Sequence, residues 1–313
     1  MPSFTKKDKV SLFPEAGLGY LVGPILALLS NGVVNNWLIQ YWDKVLQLSE
    51  WAPLFETLLP ILSSIIIIVG NLIVGRLMER KPKMAGKARP LILLAMPFVT
   101  VALLALFLMP LPKGAGGNTS NLVASIVIAL AYNLYYALAW PIYYTSHSAL
   151  VNLSTRDEKG RGLLSTCIQA AQLGAAGVAG MAGGFLVGIL GLLPKYKYAI
   201  MENGKLVTKV ADAVKNLPES IQLTHTYETV VSPEQANSKW VILMIIMAVA
   251  LVIGCLLEYF FTRERITEEL LEQEAARVAN GEKAEEAGKK VAIKDQIKVC
   301  LHDKYWWLII IFF

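Results

Sequence analysis

The chain has 313 residues, 55% of them hydrophobic and only 17% charged, with a formal net charge of +5. Soluble domains carry about a quarter charged residues. Here, the long stretches between Glu15 and Asp43, from Thr57 to Gly75 and from Trp240 to Leu257 hold no Asp, Glu, Lys or Arg. Such stretches meet or approach the roughly 20 apolar residues that cross a bilayer, which excludes a soluble enzyme, a disordered tail and a disulfide-stapled secreted domain.

In chain order, a basic segment (Lys6, Lys7, Lys9) opens residues 1–17, with no short apolar core and cleavage site of a signal peptide. Spans are predicted near Leu18–Tyr41, Pro53–Gly75, Leu91–Leu111, Leu122–Thr145, Leu163–Leu193 and Trp240–Phe261. Helices are expected, because the segments lack the alternation of barrel strands. Pro60, Pro97 and Pro141 fall inside spans and predict kinks. Cys167 and Cys255 are expected to pack as small hydrophobes. A six-helix bundle over 18–261 is followed by a charged connector, 262–304. The apolar run 305–313 then predicts the start of a seventh span in an incomplete chain. The expected class is an all-α polytopic membrane protein.

Lys and Arg set the orientation. The N-terminal segment, the loop after span two (Arg76, Arg80, Lys81, Lys83, Lys87, Arg89) and the loop after span four (Arg156, Lys159, Arg161) are rich in them. The alternating loops hold only Lys44 and Lys113. A cytoplasmic N-terminus in the plasma or inner membrane follows, with 195–239 as a long external loop. These loops account for the net positive charge without a nucleic-acid partner.

Gly75-Arg76-Leu77-Met78-Glu79-Arg80 has a Gly-to-acid spacing suited to a latch: Gly75 permits close helix approach and Glu79 can meet a cation or helix N-terminus. Together with the layout of six spans, a connector and a further span, this resembles the cytoplasmic signature of the major facilitator superfamily. Trp42-Asp43-Lys44, Gly86-Lys87-Ala88-Arg89-Pro90, Asp157-Glu158-Lys159-Gly160-Arg161 and Glu258-Tyr259-Phe260-Phe261-Thr262-Arg263-Glu264-Arg265 narrow the resemblance to the glycoside–pentoside–hexuronide cation symporters, the group containing melibiose permease. The resemblance implies uptake of a sugar or glycoside coupled to Na+ or H+, and an absent C-terminal six-helix half. Where those symporters carry an acid in span two, this chain has Asn71, and span four has no carboxylate. Glu56 and Glu258 are the remaining acids at membrane depth, both expected to reach water. Glu56 is a weak candidate for cation or proton entry.

Sugar binding needs neutral hydrogen-bonding groups and flat aromatic faces. Asn31 and Asn35 share one helical face, span four offers Tyr136 and Trp140, and span five offers Gln169. His147 and Arg161 are expected in loop or gate contacts. A stripe of Ala176, Gly180, Gly184 and Gly188 predicts backbone-to-backbone helix packing. No nucleophile–base pair, phosphate loop or metal-spaced cluster points to an enzyme, a resident cofactor or a metal.

The expected function is therefore secondary active transport of a sugar, glycoside or small oligosaccharide by alternating access, in a lipid bilayer. Gly75, Glu79, Arg80 and Arg161 would serve as its conformational motif. An uncoupled carrier or exporter of another polar solute, or a non-transporting half-protein scaffold, are the alternatives.

Overall fold

The computed structural model describes residues 9–80, 86–202, 205–280 and 302. The predicted seventh-span start, 305–313, and most of the connector lie outside the described residues. Met1–Thr267 forms one compact unit. It contains α1 (Leu12–Val45), α2 (Pro53–Met78), α3 (Arg89–Phe107), α4 (Asn121–Ser154), α5 (Glu158–Gly180) and α6 (Pro233–Phe261), six helices long and apolar enough to cross a membrane. The protein is a multi-pass membrane protein.

Local chemistry sets the helix starts. Pro53, Pro90 and Pro233 sit in first turns, where a missing N–H costs nothing. Asp157 accepts the Gly160 N–H at 2.8 Å, and Ser232 and Gln235 form a reciprocal capping box before α6. The bilayer-length helices leave apolar side chains outside: Ile61, Ile65 and Ile68 of α2 are 60%, 64% and 62% exposed. On a soluble protein such a face would drive association.

Several turns are wider than α-helical. Leu12–Val22, Tyr41–Val45, Leu134–Ala139 and Val178–Ala182 are π-helical, and α5 continues after the last of these as Gly183–Leu190. Inserted π turns often mark functional stretches. The predicted kink at Pro141 takes this form, since the proline directly follows the wide segment and Trp140.

The long loop, expected only as an external segment, holds a small antiparallel sheet of order β2-β1-β3, with β1 Lys195–Glu202, β2 Lys205–Ala211 and β3 Tyr227–Val231. Tyr196, Ala211 and Leu217 form its own small core. Lys44, at the end of α1, bridges Asp43 at 3.3 Å and Asp212 at 3.1 Å, tying sheet to bundle. Below, the end of the bundle near this sheet is called the sheet end.

Close helix crossings do not fall where the small-residue stripe predicts. A Cβ at Gly188 would meet nothing within 4 Å, and at Gly180 and Gly184 only the side chains of Asn36 and Trp37 at 3.7 and 3.8 Å. The backbones meet elsewhere. A Cβ at Gly254 would lie 2.6 Å from the Gly23 carbonyl oxygen, bringing α6 onto α1, and one at Gly32 would lie 2.6 Å from Ala179 Cβ. A Cβ at Gly70 would collide with the Ala137 carbonyl oxygen. Pro141 has no N–H to give that carbonyl four residues upstream, and the Gly70 Cα–H points at it.

α7 (Arg265–Ala279) follows α6. From Glu268 its residues belong to a second unit, Glu268–Phe313; there Gln273 donates to Glu269 at 3.2 Å.

Candidate functional site

The i, i+4 spacing of Asn31 and Asn35 puts both amides on the α1 face that meets α4. Tyr135 donates its hydroxyl to Asn31 Oδ1 at 3.1 Å, and Tyr136 to Asn35 Oδ1 at 3.0 Å. Adjacent residues in an α-helix point about 100° apart. The wide turns of Leu134–Ala139 let both tyrosines reach the same neighbour. Trp140 stacks on Tyr135 at 5.9 Å and 14°, and on Tyr144 at 6.3 Å and 26°. Tyr132 continues the line, 4.6 Å from Tyr136 and 5.7 Å from Trp42.

The result is a neutral face of amides and rings. Asn35 is exposed, while Tyr136 and Trp140 are half-buried. The face can hydrogen-bond hydroxyls and present ring planes to C–H surfaces. Asn36 gives its NH2 to Gly32 O at 2.7 Å, which leaves its carbonyl oxygen as acceptor. Gln169 is exposed on α5 and, among the described residues, makes no hydrogen bond to this cluster.

Asn71 is exposed on α2, one residue from the Gly70–Ala137 crossing, and donates to Ile67 O at 3.0 Å. Glu56 is half-buried in the first turn of the same helix. At 1.5 Å rise per residue they stand roughly 22 Å apart along α2. One ion cannot touch both.

The latch-like segment is placed differently from expectation at its first residue. Among the described residues nothing approaches a Cβ at Gly75 within 4 Å, so Gly75 makes no close helix contact in this conformation. Glu79 and Arg80 are exposed at the end of α2. Arg161 directs Nε and Nη2 to the Thr155 carbonyl at 3.3 and 3.0 Å, across the turn between α4 and α5.

One further expectation is overturned: Glu258 does not reach water. His147, expected in loop or gate contacts, lies within α4. Both are fully buried in the bundle, at the end opposite the sheet. Tyr143 donates to Glu258 Oε1 at 2.5 Å, and His147 Nδ1 lies 3.1 Å from Glu258 Oε2. The sequence signal was present: Tyr143 and His147 are four apart, and Glu258 is the only acid inside the apolar run of α6. What it lacked was the α4–α6 pairing that closes the cluster.

Other carboxylates at this end organise the backbone. Glu264, 1% exposed, accepts the N–H groups of Lys87, Ala88 and Arg89 at 2.7, 2.9 and 2.8 Å. It thereby caps the N-terminus of α3, where a negative charge is favoured. Gly86, at φ +109°, must be glycine, since a Cβ would sit 2.5 Å from Glu264 Oε1. Arg89 in turn donates to the Tyr259 carbonyl at 3.0 and 2.6 Å. Glu15 of α1 takes both Arg265 amines, at 2.6 and 2.7 Å. That hydrogen bonding raises the Arg265 pKa against the opposing effect of burial.

Residues 19–313 match the family described as MFS/sugar transport protein. No curated protein matches the chain.

Proposed function

Because the chain belongs to the MFS/sugar transport protein family, we propose that it carries a sugar, glycoside or small oligosaccharide across the membrane by alternating access, coupled to a Na+ or H+ gradient. The observation that carries the substrate class is the neutral face built from Asn31, Asn35, Tyr136 and Trp140, with fully buried Tyr135 holding Asn31 from within the bundle. Paired amides and phenols exchange hydrogen bonds with hydroxyls, and stacked rings accept the apolar face of a pyranose. A carboxylate or ammonium substrate would instead call for a fixed counter-charge on that face.

In this reading the membrane is the plasma or inner membrane, the N-terminus is cytoplasmic, and the sheet end is external. The placement within the glycoside–pentoside–hexuronide symporters belongs to the same reading, as do the completing helices beyond the sixth span. Rocking of two helical bundles about a midplane site is the mechanism. The Gly75–Arg80 segment and Arg161 would act in another conformation of the cycle. Glu56 and Asn71 are the candidates for cation contact, at separate depths.

The test is reconstitution of the full chain into liposomes loaded with unlabelled methyl glycosides and challenged with trace radiolabelled ones. Counterflow above empty-liposome background is expected, and its absence across a hexoside and pentoside panel would sink the reading. Varying sodium and pH independently then separates a coupled carrier from an uncoupled one.

A further inference from the structure

Glu258 is a carboxyl inside a span with no strong cation beside it. From α4 it is faced by Tyr143 and His147, and from its own helix by buried Cys255, one turn earlier. From α1 it meets Gly23, where a Cβ would lie 3.1 Å from Glu258 Cγ. α3 also packs on α6, but its Arg89 is engaged with the Tyr259 carbonyl. Among the described residues no lysine or arginine pairs with Glu258. Arg265 is taken by Glu15.

A buried carboxylate without a counter-charge costs several kcal/mol. The cluster removes that cost by holding one proton, on Glu258 or on the imidazole, and either arrangement is neutral overall. Tyr143 donates to Oε1, and the carboxyl's second hydrogen bond runs between Oε2 and Nδ1, 3.1 Å apart. The other imidazole nitrogen, His147 Nε2, is buried with no hydrogen-bond partner among the described residues. His147 also stacks on Tyr143 at 5.7 Å and lies 6.5 Å from exposed Tyr144, beside Trp140 of the candidate face.

We propose that Tyr143, Glu258 and His147 form a proton-binding site that the bundle can enclose only when the proton is present. In the forward step a hydronium ion gives its proton to the Glu258–His147 pair, forming one O–H or N–H bond and leaving water. The cluster goes from one negative charge to none. Release to water reverses the step and requires the helices to part. That occupancy drives solute movement rests on the transport reading above; the site itself does not.

The experiment uses the purified full chain in lipid nanodiscs, with infrared difference spectra recorded on stepping between about pH 5 and about pH 9. A protonated-carboxyl band should fade as pH rises, be lost in Glu258→Gln, and change in frequency or intensity in His147→Asn. A band that is absent, constant with pH or unchanged in Glu258→Gln overturns the site. Where Glu258→Gln does not fold, Tyr143→Phe and His147→Asn decide, and a wild-type band in both overturns it. In liposomes, the ratio of pH-driven accumulation to exchange of labelled methyl glycoside should fall about tenfold in Glu258→Gln, and an unchanged ratio overturns the coupling role. No sugar flux in wild type would retire the transport reading while the infrared titration still decides the site.

Discussion

Arg265 grips Glu15 through two parallel hydrogen bonds of 2.6 and 2.7 Å, across 250 residues of chain. The same guanidinium reaches the carbonyls of Ser154 and Lys9, at 3.4 and 3.3 Å. One side chain thus holds the start of α1, the end of α4 and the exit of α6.

Removing that grip leaves a carboxylate that is only 4% exposed. Arg265→Met should lower the stability of the detergent-solubilised protein by about 3 kcal/mol. Glu15→Gln should cost less, because the cation keeps its carbonyl partners. Thermal unfolding of the two variants gives the comparison, and equal losses would contradict the account.

Glu264 caps α3 through charge-assisted hydrogen bonds, each stronger than a neutral one. Glu264→Ala should cost about 2 kcal/mol and, more diagnostically, abolish hydrogen-exchange protection at Lys87, Ala88 and Arg89. Protection that survives the substitution would mean that these amides are held by something else.

Gly70 and Gly75 lie on one helix and should behave oppositely. Gly70→Ala drives a methyl into the Ala137 carbonyl and should destabilise by at least about 2 kcal/mol. Gly75→Ala has open space and should leave stability within about 0.5 kcal/mol. If Gly75 works only in another conformation, the variant slows counterflow while unfolding at the wild-type temperature.

Tyr136→Phe removes the hydroxyl that positions Asn35. A glycoside held by this face should bind about tenfold more weakly, or about 1.4 kcal/mol, with little change in thermal stability because the site is half-exposed. Quenching of tryptophan fluorescence by titrated methyl glycoside measures it.

The sheet tether should be acid-sensitive. Burial raises the Asp212 carboxyl, but hydrogen bonds from Asn216 and Lys44 outweigh it and leave the pKa below the ordinary value. A depressed carboxylate adds stability above the unfolded pKa and loses it as pH falls through the folded one. Hydrogen-exchange protection of the β1–β2 ladder should therefore drop below about pH 4. Asp212→Asn should start lower and lack that drop.

The membrane architecture was legible because span-length apolarity is a local property, summed over 20 residues at a time. Asn31 and Asn35 were legible for a similar reason: amides in hydrocarbon need partners, and their spacing names a common face. Glu258 was misread because it was judged by distance from its own helix end. Gly23 and Gly254 bring α1 close against α6 beside it, with a Cβ at Gly23 3.1 Å from Glu258 Cγ. The true crossing at Gly70 was equally hidden, since its partner is a backbone carbonyl that Pro141 cannot satisfy. The sheet escaped because its core is only a few residues taken from segments far apart in sequence.

The wide turns of Leu134–Ala139 fix a phase relation along α4. Within them lie Tyr135 and Tyr136, which address Asn31 and Asn35, and downstream lies the register that carries Tyr143 and His147 to Glu258. Deleting one residue there would restore an ordinary helix and turn everything beyond it by about 100°. Either patch could then keep its partners, but not both at once. The segment is a mechanical gear between two sites on one rod, and its length in residues matters more than the side chains it carries.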